Sequence, residues 1–156
     1  MNYTFNNLVV FAATVDGTGG SGSVTPNPMS VITLNVNETI SFDETETNVG
    51  NGMDTSTGIF TVPKSGIYSF SFSGIVRQSE YDDQEALWRV YQTDESETKL
   101  STLDLFHQSV PDKNYRSIFD YTWVMSLEQG NKIYLKSPTK LYLHQARFEG
   151  QLVMYT

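Results

Sequence analysis

The feature that most constrains the fold is a strict alternation between Gly66 and Gly74. Aromatic side chains occupy every second position, at Tyr68, Phe70 and Phe72, and serines fill the positions between them. A period of two is typical of a β-strand with one apolar and one polar face. We predict that this strand directs its three rings into a core, where each ring buries roughly 150–250 Å².

The remaining chain consists of short β-rich runs separated by Gly, Pro, Asn and Asp, with no helical pattern. A Gly-rich segment at 16–28 and a polar segment at 43–58 are predicted loops. We therefore expect one all-β domain, residues 1–156, folded as a ten-stranded jelly-roll sandwich. The predicted strands are 8–15, 29–35, 39–42, 58–62, 66–77, 86–93, 99–107, 116–127, 131–136 and 147–155.

Composition excludes several classes of function. The net charge of −8 argues against nucleic-acid binding, which needs a basic surface. The absence of cysteine excludes disulfides and thiolate chemistry. No apolar run is long enough for membrane insertion. With two histidines, His107 and His144, and no Gly-x-Ser-x-Gly motif, the chain carries no catalytic constellation, and we predict that it is not an enzyme.

A spaced series of residues surrounds the aromatic strand, with Phe42, Asn48 and Phe60 before it and Phe148 and Gly150 after it. The series resembles the signature of the C1q globular-domain family, except that Met53 stands where the family usually has an aromatic residue or Leu. The segment "SLEQGNKIYL" resembles a second family motif, with Asn131 in place of Asp. The resemblance runs from about Leu8 to the end of the chain. The signature residues are Phe42, Asn48, Phe60, Gly66, Tyr68, Phe70, Phe72, Phe148 and Gly150.

The resemblance implies a C1q/TNF-like jelly roll that assembles as a homotrimer. The chain lacks a collagen Gly-X-Y repeat, so the heads alone would hold the trimer. Family members include soluble lectins, which suggests a secreted pattern-recognition protein of innate immunity that binds glycans or microbial polysaccharides by avidity. The glycosylation sequons at Asn2 and Asn37 agree with secretion. The alternatives are a module that binds a protein receptor or trimerises a larger chain, and a bacterial or phage coat jelly roll.

Two polar and aromatic segments are candidate ligand sites. One is the acidic loop with Tyr81, Asp82 and Asp83. The other precedes the predicted last strand and contains Tyr142, His144 and Arg147. An exposed ring can stack on a sugar while the polar groups bind its hydroxyls. The alternatives are a solvated acidic turn for the first segment and a subunit interface for the second.

No cofactor or metal is expected. Several family members bind calcium through an Asp that corresponds here to His107, and imidazole is a poor ligand for calcium. A calcium site would need Asp112 or the acidic loop instead. For the trimer interface we predict Trp88, Arg89 and Tyr91, because interfaces favour these residue types.

Overall fold

The structure, a computed structural model, describes residues 8–16, 31–78, 86–106 and 116–156. These residues form two antiparallel sheets, as the predicted jelly roll requires. Eleven strands lie within the described ranges: β1 (Val10–Asp16), β2 (Ile32–Leu34), β3 (Glu44–Val49), β4 (Met53–Asp54), β5 (Ile59–Thr61), β6 (Gly66–Gln78), β7 (Trp88–Thr93), β8 (Lys99–Leu105), β9 (Ser117–Leu127), β10 (Lys132–Lys136) and β11 (Leu141–Tyr155).

The two sheets contain different strands, and their edge strands meet at one side of the sandwich. The six-stranded sheet has the order β3-β1-β11-β6-β9, with β2 also paired to β11. The five-stranded sheet has the order β4-β5-β10-β7-β8. Trp88 on β7 contacts Phe119 on β9, with ring centres 5.5 Å apart. The edge strands β8 and β9 therefore lie on the same flank of the sandwich.

The core is a cluster of aromatic rings between the sheets. Phe70 is buried and lies within 6.4 Å of the rings of Phe11, Phe60, Tyr68, Trp123 and Phe148, measured between centroids. The serines of β6 face the opposite side of the six-stranded sheet. The alternating pattern of β6 thus places its rings where the two sheets meet.

The structure explains why two of the signature positions, Asn48 and Gly150, need these residue types. The side chain of Asn48 donates to the carbonyl of Met53 at 2.9 Å and accepts from its N–H at 3.1 Å, which closes the connection between β3 and β4. This contact uses only the backbone of Met53, so it does not depend on the side chain at that position. At Gly150, a Cβ atom would clash with the rings of Phe11 and Phe70.

Three details of the predicted topology are wrong. The segment predicted as a polar loop at 43–58 contains strands β3 and β4, and the predicted strand at 39–42 is reduced to a single bridge between Thr39 and Lys136. The last strand begins at Leu141 and not at Arg147.

Candidate functional site

A group of basic and aromatic side chains lies at one end of the six-stranded sheet. Arg77 near the end of β6 pairs with Tyr142 near the start of β11. Arg116 immediately precedes β9, whose first residues pair with the same end of β6. Lys140 and His144 flank Tyr142 along the chain. We call these five residues, Arg77, Arg116, Lys140, Tyr142 and His144, the basic cluster.

Cation–π contacts organise the basic cluster around one ring. The Cζ atom of Arg77 lies 5.0 Å from the centre of the Tyr142 ring, and the Nζ atom of Lys140 lies 5.8 Å from it. Both distances are within the range in which the ring quadrupole attracts a cation. Arg77 and Lys140 are exposed at the surface, beside the half-buried ring of Tyr142.

His144 is the extra residue of a β-bulge, since the pairing of β11 with β6 shifts between Leu143 and Gln145. Within the described part of the chain, its Nε2 atom is buried and has no hydrogen-bond partner. Burial is the main cause that lowers the pKa of His144, and the nearby charges of Arg116 and Arg77 lower it further. The basic cluster thus gathers three cationic side chains at one end of the sheet, on a chain of net charge −8.

Arg147, the third residue of this predicted segment, belongs to a different set of contacts. Its Nη1 atom lies 2.7 Å from a carboxylate oxygen of Glu46, and its Nε atom donates to Glu149. The hydrogen bond to Arg147 lowers the pKa of Glu46. Tyr142 and His144 therefore lie together, whereas Arg147 is held by carboxylates further along the sheet.

A groove of ≈ 840 Å³ opens on the same face, next to the basic cluster. Among the described residues that line it, Arg147 is the one cationic side chain, and five are acidic. The charged side chains that line the groove are therefore mainly acidic, in contrast to those of the basic cluster. The acidic lining residues are Asp16, Asp43, Glu44, Glu46 and Asp120.

The other candidate ligand residues lie outside the described residues. These are Tyr81, Asp82 and Asp83 of the acidic loop, together with His107 and Asp112 of the calcium prediction. Within the described ranges, no three His, Cys, Asp or Glu side chains are grouped closely enough to hold a metal ion. The described residues also include no helix of the length and apolarity needed to cross a bilayer.

The residues predicted for the trimer interface have different environments. Trp88 is completely buried and packs edge-on against Phe72 at 4.8 Å, so its side chain belongs to the core of the monomer and offers no surface to a neighbour. Arg89 forms an ion pair with Asp104 on β8. Tyr91 stacks on Tyr134 on β10. Arg89 and Tyr91 are half-buried on the outer face of the five-stranded sheet.

Sequence reasoning missed the three cationic residues of the basic cluster. Arg77, Arg116 and Lys140 are distant in sequence, and only the register of β6 with β9 and β11 brings them together.

Sequence reasoning also missed two apolar side chains on the outer face of β9. Ile118 is 84% exposed and Val124 is 65% exposed. Both side chains occupy the positions of β9 that alternate with its inward-facing residues and are otherwise polar. An apolar residue at such a position is a sequence signal that could have identified them.

Comparisons with known proteins identify the fold and the family. The C1q domain family model matches residues 27–153. The globular domain of zebrafish complement 1qA protein covers the chain with a TM-score of 0.64 at 17% sequence identity, over 95% of this chain and 99% of that chain. The Eiger TNF of S. frugiperda has a TM-score of 0.59 at 12% identity, over 95% of each chain. At such low identity these structures show a shared fold alone. The family match spans most of the sequence, and the chain therefore belongs to the C1q domain family.

Proposed function

We propose that this chain is a trimeric recognition domain that binds negatively charged glycans through the basic cluster. C1q domains are generally non-enzymatic modules of recognition and assembly, and this chain belongs to that class. The observation that carries the proposal is the convergence of Arg77, Lys140 and Arg116 around Tyr142 and His144. Glycan binding and trimerisation are proposals that go beyond the family assignment.

The donors of the basic cluster determine the class of ligand. A guanidinium and an ammonium group both bind carboxylates or sulfates through charge-assisted hydrogen bonds. Arg77 and Lys140 already lie against the Tyr142 ring, so the ring orients them and contributes less as a stacking platform for a neutral sugar. Polysaccharides that carry carboxylate or sulfate groups fit this chemistry better than neutral ones.

Two different apolar surfaces support a closed trimer. The outer face of the six-stranded sheet carries Ile118, Val124 and Val153, of which Val153 is 61% exposed. The flank formed by β8 and β9 carries Leu100, which is 52% exposed, and the partly buried Trp123. A ring of three copies needs a heterologous interface, in which one surface of each copy packs on a different surface of the next. We infer that the flank of one subunit packs on the face of its neighbour.

This arrangement would give three basic clusters that point in one direction, because a rotational axis relates equivalent ends of the subunits. Each cluster alone would bind a single acidic sugar weakly. Linked sites that bind one repeating polymer gain avidity of about 10²- to 10⁴-fold when the spacing allows simultaneous contact. A trimer of weak sites would thus select repetitive anionic surfaces over single sugars.

Secretion is part of the same proposal. Asn37, within the sequon Asn37-Glu38-Thr39, is exposed at a tight turn with a φ of 62°. The site is therefore accessible to glycosylation in a secretory pathway. The second sequon, at Asn2, lies outside the described residues.

An array of neutral, carboxylated and sulfated polysaccharides, probed with calcium and with chelator, tests the proposal. We expect binding to acidic polysaccharides that survives chelation, and weaker binding for Arg77→Ser. The matched control is Lys132→Ser, which removes a cation from the five-stranded sheet. Binding that requires calcium would point to the acidic loop of Tyr81, Asp82 and Asp83 instead. Absence of binding to every polysaccharide would favour the alternative of a protein-binding module.

A further inference from the structure

Two tyrosines form a stacked pair at the centre of the five-stranded sheet. Tyr91 on β7 lies directly opposite Tyr134 on β10 in the antiparallel register. Their ring centroids are 5.3 Å apart and their planes differ by 2°. Among the ring contacts of the described residues, this is the only one between two tyrosines. Both side chains are half-buried on the outer face of the sheet.

The surroundings hold the pair in this arrangement. The adjacent residues Val90 and Leu135 are buried and pair with each other in the same register, so the two backbones beneath the rings are fixed. The Nζ atom of Lys136 lies 5.4 Å from the centre of the Tyr91 ring and 5.7 Å from that of Tyr134. The two phenols therefore remain neighbours. Because the folded backbone already holds them together, their reaction requires no further loss of conformational entropy.

We propose that Tyr91 and Tyr134 are a site of oxidative cross-linking, at which a dityrosine bond joins β7 to β10. Each phenol loses one electron and one proton to become a phenoxyl radical, with spin density on its Cε carbons. A Cε–Cε bond forms between the rings, and the two displaced ring hydrogens move to the phenolic oxygens. Hydrogen peroxide, used by a haem peroxidase, accepts the two electrons and two protons and is reduced to two molecules of water.

Proximity favours this pair over other tyrosines. Radical coupling is bimolecular in solution, whereas two rings held in contact react as an intramolecular pair with a high effective concentration. Tyr68 is fully buried with its hydroxyl bonded to the Lys64 carbonyl at 2.7 Å. Among the described tyrosines, Tyr155 is 63% exposed and is therefore a competing site for coupling between molecules.

The bond would give a chain without cysteine a covalent tie between strands. Tyr91 and Tyr134 are far apart in sequence, and a cross-link between them would restrict the unfolded chain in the way that a disulfide does. The outer face of the five-stranded sheet is opposite to the face proposed for trimer contacts. The proposal does not depend on glycan binding or on trimerisation.

The test treats the dilute purified protein with a haem peroxidase and limiting hydrogen peroxide. We expect dityrosine fluorescence in a product of monomer size on a denaturing gel, with an intact mass lower by two hydrogen atoms. Trypsin cleaves after Arg89, Lys99, Lys132 and Lys136. The linked product should therefore join the peptides 90–99 and 133–136.

Conservative variants make the result decisive. Tyr134→Phe and Tyr91→Phe keep a stacked ring but remove one phenol, and each should abolish the link between these peptides. Tyr142→Phe, on the other sheet, is the matched control and should retain it. Circular dichroism before oxidation establishes that each variant is folded. The proposal is overturned if folded wild-type protein forms no link between these peptides, or if Tyr134→Phe gives the same linked product.

Discussion

The guanidinium of Arg77 lies 5.0 Å from the ring centre of Tyr142, across the pairing of β6 with β11. This contact holds a cation at the surface, next to Lys140 on the same ring. A charged hydrogen bond contributes about 1.5–3 kcal/mol. We therefore predict that Arg77→Ser weakens binding of an acidic oligosaccharide to one subunit by about tenfold to a hundredfold. Titration calorimetry with a short uronic-acid oligomer measures the change.

The control for this prediction is Lys132→Ser on the opposite sheet. It removes the same unit of charge, so a general electrostatic effect would weaken binding in both variants to the same extent. Equal affinities of the wild type and Arg77→Ser would contradict the assignment of the site.

The second prediction concerns the pH dependence of stability. The pKa of His144 lies below 6.5 in the folded chain, because burial and two arginines disfavour its charged form. The unfolded chain takes up the proton first as the pH falls, so the free energy of unfolding decreases below about pH 6.5. Relative to His144→Gln, the wild type should lose stability as the pH decreases from about 7.5 to 5. Urea denaturation at several pH values measures the difference.

Acidic side chains titrate in both proteins and cancel in that comparison. A difference between wild type and His144→Gln that stays constant over the whole pH range would show that the folded and unfolded pKa values of His144 are equal.

The third prediction concerns the core. Phe70→Ala removes a ring that lies between the two sheets and touches Phe11, Phe60 and Phe148. Truncation of a buried Phe costs about 3–5 kcal/mol. Ser69→Ala, on the outer side of the same strand, should change the stability by less than about 0.5 kcal/mol. Guanidinium denaturation of both variants gives the comparison, and a small effect of Phe70→Ala would contradict the proposed core.

The fourth prediction concerns assembly. Val124→Asp places a charge on the exposed face of β9 and should convert a trimer to monomers without unfolding the domain. Thr61→Asp is the control, since Thr61 is an exposed strand residue on the five-stranded sheet. Sedimentation velocity reports the mass of each variant. Val124→Asp protein that remains trimeric would exclude this face from the interface.

The sequence alone supports the prediction of the jelly roll, because the alternation in β6 and the spacing of the signature residues are local patterns. Strand β3 was missed because its residues from Glu44 to Asn48 are all polar, and its strand character comes from pairing with β1. The start of β11 was missed for another reason. The bulge at His144 shifts the inward positions from Leu143 to Ala146 and so breaks the alternation.

The candidate site was less accessible to sequence reasoning. Tyr142 and His144 were identified as an aromatic and polar pair, but their cationic partners come from β6 and from the residue before β9. Strand register is a long-range property that one sequence does not display. Trp88 was predicted for the trimer interface, but its packing on Phe72 and Phe119 places it in the core.

The proposed function requires the basic cluster to recognise the negative charge of a glycan. The most direct measurement compares immobilised polygalacturonate with the same polymer after reduction of its carboxylates, by surface plasmon resonance in the presence of chelator. The wild-type protein should bind the carboxylated polymer, and binding should be lost on the reduced polymer and weakened by Arg77→Ser. Equal binding to both polymers, or binding to neither, would contradict the proposed function.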